Sequence, residues 1–201
     1  MVVGKDRLPT FKDIPQLPTV RAVVKEGIRH RSIVAELGIA RKLDQDDWHE
    51  EYFIPKGTIL HSNFSAIFSD RTLYPDGSVY NPARWLGPSY PTYREPLSIY
   101  PNLTGFTSFG YGRRACPRTN FTDRTPTVMV ARLAWAFNIK KQIDPVTRKE
   151  LPLNIKYEPT PNPKPEPFSA RFEVRDEQRA KMITKEKEKE DLKDPLFVEK
   201  R

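Results

Sequence analysis

Twenty prolines set the limits on what this 201-residue chain can fold into. Proline fixes φ and donates no backbone hydrogen bond, so each one ends or interrupts a helix or a ladder. With only 9 glycines beside them, long stretches of extended or irregular backbone are expected. Pro9, Pro15 and Pro18 punctuate residues 1–18, which read as loop. From Tyr74 to Pro101 six prolines recur among several tyrosines. Loops of that length are usually functional or disordered. Pro159, Pro161, Pro163, Pro165 and Pro167 make a third such run.

Regular structure must lie in the windows between. Thr19 is a suitable cap for a first helix, with Val20, Val23, Val24 and Ile28 on one face. Gly27 inside it costs about 1 kcal/mol relative to Ala. Residues 33–61 read as short strands. Tyr52–Ile54 and Thr58–His61 flank a turn at Pro55-Lys56-Gly57. Asn63–Phe68 suits one or two helical turns. The clearest helix spans 125–138, with Thr125 as N-cap, Pro126 at its first position, and Val130, Leu133, Ala134 and Phe137 along one face. A turn at Asp144-Pro145, a β-like Leu151–Tyr157 and an edge strand over Phe168–Val174 follow. The stretch Lys181–Glu190 alternates charges and is expected to be a frayed helix or disordered.

Several classes drop out. A single cysteine excludes an intramolecular disulfide framework. His30, His49 and His61 are too scattered to build a zinc site with it. No run approaches the roughly 20 apolar residues of a membrane-spanning helix, and residues 1–7 lack the apolar core of a signal peptide. The net charge of +8 permits an anionic partner but selects none. The charge is scattered rather than interleaved with stacking aromatics, which argues against a nucleic-acid module. Three Asn-x-Ser/Thr triplets, at Asn63, Asn102 and Asn120, read as chance.

The cysteine lies in Phe109-Gly110-Tyr111-Gly112-Arg113-Arg114-Ala115-Cys116-Pro117. Glycines four and six residues before it let the backbone turn sharply or approach a ligand closely. Arg113, Arg114 and Arg118 surround the thiol with positive charge, which favours thiolate. An isolated cysteine is most often merely structural. This one sits where a thiolate would suit a metal with anionic substituents.

That loop resembles the cysteine-ligand loop of the cytochrome P450 monooxygenases: Phe109, two residues, Gly112, one residue, Arg114, one residue, Cys116. Glu26-Gly27-Ile28-Arg29 is similar to that family's Glu-x-x-Arg helix motif. Tyr52–Thr58 looks like the β-turn that follows it. Asn81-Pro82-Ala83-Arg84-Trp85 resembles the segment whose arginine joins that pair, and Met129–Phe137 resembles the helix behind the haem. Order and spacing agree from about residue 2 to about residue 157. The style is closest to fungal microsomal members.

The resemblance implies a mixed α/β, mainly helical fold: the C-terminal part of the family's architecture, with a small β-sheet and the cysteine-ligand loop. Residues 1–174 would be the incomplete domain and 175–201 a mobile charged tail. The cofactor would be haem b, iron protoporphyrin IX. Cys116 would be its axial thiolate, Arg114 a propionate partner and Arg41 a second one. Phe109 would pack under the macrocycle, and Gly110 and Gly112 would turn backbone amides toward the sulfur. Glu26, Arg29 and Arg84 would form a buried, structural ion network. The implied activity inserts one oxygen atom of O₂ into a small organic substrate. Electrons would come from NADPH through the NADPH–cytochrome P450 reductase, docked near Arg113, Arg124, Lys140 and Lys141.

The sequence also departs from the family. Arg118 stands two residues after Cys116, where the family normally has glycine. A positive φ there would strain it. Ser32 stands near a usual proline. The resemblance covers less than half of the family's domain, without the distal helix or the membrane anchor. The full-length relatives belong on the cytosolic face of the endoplasmic reticulum, whereas this stretch would be cytosolic and leave apolar helix faces bare. The alternative reading is a catalytically incompetent, haem-binding remnant or partial gene product.

Overall fold

The computed structural model describes residues 2–31, 39–158 and 164–191. Ser32 and Pro159, Pro161 and Pro163 lie outside the described residues. Among the described residues there are four α-helices, α1 (Pro18–His30), α2 (Phe64–Phe68), α3 (Thr119–Ala136) and α4 (Glu177–Asp191), and six short strands. The strands are β1 (Arg41–Lys42), β2 (Asp47–His49), β3 (Tyr52–Ile54), β4 (Ile59–Leu60), β5 (Phe137–Lys141) and β6 (Ala170–Val174).

The first helix starts one residue before the predicted cap. Pro18 occupies its first turn, so Thr19 is already helical. Pro is preorganised there and its missing N–H has no helical partner to lose. The buried side also differs from the apolar stripe. Arg21, Ala22, Val24, Glu26 and Arg29 are buried, while Val20, Val23 and Ile28 are half-buried. The polar side goes inward because the chain supplies partners for its charges. Glu26 receives Arg29 and Arg84 at 2.8 and 3.0 Å, and the indole of Trp85 at 3.0 Å.

Strands β1 to β4 are where predicted, but they pair differently. The turn at Pro55–Gly57 forms, with Gly57 at φ 88 and Thr58 N–H donating to Pro55 O. Its two arms do not pair with each other. Strand β3 folds back on β2, aligning Trp48 with Phe53, and β4 reaches over both to β1, aligning Arg41 with Leu60. The result is two nested antiparallel ladders.

Helix α3 begins at Thr119, six residues before the predicted start, and Pro126 lies inside it. The hydroxyls of Thr119 and Thr122 bond the Cys116 and Arg118 carbonyls and hold the early turn together. The helix buries Thr127, Val128, Ala131, Trp135 and Ala136, not the predicted Leu133 face. Leu133 is 41% exposed. Phe137 begins β5, which pairs with β6 from Phe137↔Val174 to Lys141↔Ala170. Leu151–Tyr157 forms no strand, only a single bridge from Tyr157 to Pro165. Pro152 removes a ladder donor there. The turn after Asp144 forms as expected, with its carboxylate accepting from Val146 and Thr147 N–H.

The larger core is aromatic: Phe64, Phe68, Tyr74, Trp85 and Phe106 close around Ala22 and Leu103. Phe68 stacks on Phe106 at 5.5 Å, and Trp85 meets Phe106 edge-on at 5.8 Å. Such pairs contribute about 0.5–1.5 kcal/mol each beyond their buried area. A second cluster joins Val3 and Leu8 to Trp135, Phe137, Met182 and Ile183. Through it α4 is a docked helix at its start, with Arg179 5.1 Å from the Trp135 ring centroid.

Candidate functional site

The irregular segment after Tyr74 contains one short 3-10 turn at Pro82–Trp85 and leads to the cysteine loop. Two further 3-10 turns, Thr107–Phe109 and Gly112–Arg114, flank Gly110. Gly110 has φ 69 and ψ −173, a region open essentially to glycine alone. A side chain at Gly110 or Gly112 would meet nothing within 4 Å, so both positions face open space. Cys116 N–H donates to Phe109 O at 2.7 Å and closes the loop from Phe109 to Cys116.

Cys116 is half-buried, and α3 starts three residues after it. Its carbonyl accepts the Thr119 hydroxyl at 2.7 Å. This places the cysteine closer to a helix N-terminus than the sequence suggested, and that end of a helix favours anions. Arg118, the N-cap, has φ −94 and ψ 11 and is exposed. The strain anticipated there is absent, because the chain enters α3 without a left-handed residue.

An open cleft of about 780 Å³ meets the loop. Cys116, Phe109, Gly110, Arg41, Arg113 and Arg114 all line it, together with apolar side chains that include Ile28 and Phe64. Its volume lies within the usual range for small-molecule sites, about 300–1,000 Å³. The cleft therefore joins a thiol, an apolar lining and three guanidinium groups. Arg41 arrives from β1 and donates to Arg114 O at 2.9 Å, which ties the strand to the loop. Of the predicted site residues, only Gly112 is not among the lining residues. Its φ of 65 shapes the turn instead. The Gly110 amide, expected to face the sulfur, donates to Thr107 O at 3.0 Å. The Ser108 hydroxyl, also lining the cleft, is buried without a partner among the described residues. Nothing in its sequence context singled it out.

Glu26, Arg29 and Arg84 are 0%, 3% and 0% exposed. Burial pushes the Glu26 carboxyl up, but Arg29, the Asn81 amide and Arg84 outweigh it, so the group sits below the usual range. The Trp85 and Asn81 donors were not foreseen; both belong to the same short segment as Arg84. Among the described residues no group of three or more His, Cys, Asp or Glu side chains could hold a metal ion, and no helix is long and apolar enough to cross a membrane. A metal held here would depend on Cys116 and on a group that brings its own ligands.

The cytochrome P450 family model matches residues 1–162. Cytochrome P450 monooxygenase psoD of Aspergillus fumigatus is 53% identical over 182 residues, which are 90% of this chain and 35% of that protein. Cytochrome P450 monooxygenase 58 of Postia placenta is 38% identical over 151 residues, 75% of this chain and 28% of that protein. Cytochrome P450 monooxygenase verL of Clonostachys rogersoniana is 34% identical over 182 residues, 90% of this chain and 33% of that protein. The chain thus spans about a third of the length of these curated relatives. With residues 1–162 of 201 matched, it belongs to the cytochrome P450 family.

Proposed function

We propose that the cleft beside Cys116 is a haem-thiolate site and that the protein's chemistry is monooxygenation of a small organic substrate. The observation that carries this reading is the convergence on one cleft of the lone cysteine, an apolar lining and Arg41, Arg113 and Arg114. A flat apolar macrocycle with carboxylates at its edge fits that donor set. The space over Gly110 admits close approach, and the unpartnered Ser108 hydroxyl marks a wall that lacks a polar contact.

Cys116 would supply the sulfur ligand, while Arg114 and Arg41 would hold the carboxylates, a pairing suited to a guanidinium fork. Phe109 would pack beside the sulfur and exclude water. Gly110 and Gly112 would shape the loop. Haem b, when bound, supplies oxygen activation, and a thiolate ligand favours O–O cleavage. One oxygen atom enters the substrate and the other leaves as water, which consumes two electrons and two protons. NADPH supplies those electrons through a cytochrome P450 reductase. The exposed Arg113 and Arg124 offer it positive charge, whereas Lys140 and Lys141, also exposed, are paired with Glu173 at 2.6 Å and Glu150 at 4.0 Å. Family membership supports placing the full-length enzyme on the cytosolic face of the endoplasmic reticulum.

The test is a reduced carbon-monoxide difference spectrum of the haemin-loaded chain beside Cys116→Ser and Cys116→His. A strongly red-shifted Soret band that disappears in Cys116→Ser, with a histidine-like band in Cys116→His, is the expected result. A histidine-like band in the unmodified chain, or no haem retention, overturns the reading and favours a remnant that keeps the motif alone.

A further inference from the structure

Behind the cysteine loop, residues 97–106 lie between α1 and α3 and are held by charged side chains from both. The buried Arg21 guanidinium donates to the carbonyls of Leu97, Ile99 and Tyr100. One turn along α1, Lys25 Nζ donates to Asn102 O at 2.6 Å. The same ammonium lies 4.6 Å from the Trp85 ring centroid and 5.0 Å from that of Phe106. From α3, the Asp123 carboxylate accepts Leu103 N–H at 2.9 Å. Leu103 is 1% exposed.

A continuous line of backbone hydrogen bonds runs from this anchored point to the cysteine. Phe106 N–H donates to Leu103 O at 3.1 Å, Phe109 N–H to Phe106 O at 2.9 Å, and Cys116 N–H to Phe109 O at 2.7 Å. A shift at Asn102 or Leu103 therefore reaches the backbone of Cys116 through three short links.

The charges are costly where they sit. Burial pushes Lys25 down to about 8, with Arg94 adding to the effect and Asp123 opposing it. Burial also pushes Asp123 up, against the pull of the Leu103 amide, Arg21 and Lys25. The Arg21 guanidinium is lowered by burial, and its Nε has no partner among the described residues. An apolar side chain of similar length at position 25 would fill the same space over the Trp85 and Phe106 rings. Arg21 is buried and Lys25 and Asp123 are half-buried, and charges that cost stability while fixing one geometry suit a positioning role.

We propose that Arg21, Lys25 and Asp123 form a clamp that positions Cys116, acting through Leu103 and Phe106 on where its Sγ meets the cleft. The function of that position rests on the haem-thiolate reading; the clamp itself concerns only the cysteine. These three are positioning residues, and none of them lines the cleft.

The experiment compares Lys25→Met, Lys25→Arg and an uncharged control on the same helix, Val24→Ala, in the full chain. Three quantities are read: the thermal midpoint, the rate of iodoacetamide alkylation, and the ratio of Soret bands in the reduced carbon-monoxide complex. Alkylation reports on Cys116 alone because the chain has one cysteine. Lys25→Met is expected to leave the midpoint unchanged or raised, yet change the alkylation rate roughly fivefold, the scale of one net hydrogen bond. It also shifts the spectrum toward the shorter-wavelength band, and Lys25→Arg restores both readouts. Wild-type alkylation in Lys25→Met overturns the clamp, as does a change that Val24→Ala reproduces at equal loss of stability. If the chain takes up no haem, the haem-thiolate reading fails, while alkylation still decides the clamp.

Discussion

Five hydrogen bonds converge on the Glu26 carboxylate: two from Arg29 and one each from Arg84, Trp85 and the Asn81 backbone. Each donor is buried or half-buried, so the charge on Glu26 is what makes the two guanidinium groups tolerable. Glu26→Gln leaves two buried cations facing a neutral amide. It is expected to destabilise the chain by about 3–5 kcal/mol, the cost of breaking a buried pair by removing one partner. Urea unfolding at neutral pH checks this. The pH dependence has a definite sign. The folded-state Glu26 titrates below its unfolded value. Its contribution is thus fully present above the ordinary carboxylate range and is lost as pH falls through the folded value. The acid limb of the stability curve should be shallower in Glu26→Gln. An equal slope would show that other carboxylates control it.

Among the elements, α3 shows why local signals mislocated a boundary. Thr125-Pro126 has the residues of a helix start, but the helix begins at Thr119. Its first turn is held by threonine hydroxyls on the Cys116 and Arg118 carbonyls, contacts with no strong sequence signature. Arg118 enters that helix at φ −94, with no left-handed strain to relieve. Arg118→Gly is therefore expected to change the unfolding free energy by no more than about 0.5 kcal/mol, as at other exposed positions. A strained arginine would return on the order of 1–3 kcal/mol. A gain above about 1 kcal/mol in urea unfolding would restore the strain argument. The strands tell a similar story. Runs of β-favouring residues and Gly57 marked β3, β4 and the turn between them. The nested pairing to β2 and β1 depends on which strand lies alongside, and neighbouring residues do not encode that.

For the whole molecule, two separate clusters hold the described residues together, one around Trp85 and Phe106 and one around Trp135. The nested ladders stand apart from both. Trp48, Tyr52, Phe53 and Ile59 are 65%, 63%, 51% and 60% exposed. Trp48 and Phe53 touch across the β2–β3 pair at 5.1 Å. An exposed aromatic pair of this kind favours association. The chain by itself is expected to self-associate, and Trp48→Thr with Phe53→Thr should lower static light scattering at equal concentration. The stability change should stay within about 1 kcal/mol, the scale of one cross-strand pair. Unchanged scattering would place the association elsewhere on the surface.

By itself the sequence determined the lone cysteine with two glycines ahead of it, the Glu26–Arg29 pairing and the existence of most helices and strands, while its resemblance to the cytochrome P450 family supplied Arg84 as the third member of that network. These are local or spacing properties: a turn needs its glycine, a helix face its period, an ion pair its separation of three. Tertiary structure decided what those patterns face. It turned the charged side of α1 inward, because Arg84 and Trp85 arrive from a distant segment to satisfy Glu26. It drew Arg41 across to the cysteine loop and packed α4 against Trp135. It also set Lys25 over two rings and against the Asn102 carbonyl, where burial shifts its titration and a backbone line connects it to Cys116. Desolvation and partner choice depend on segments far apart in the chain, so no local pattern carries them.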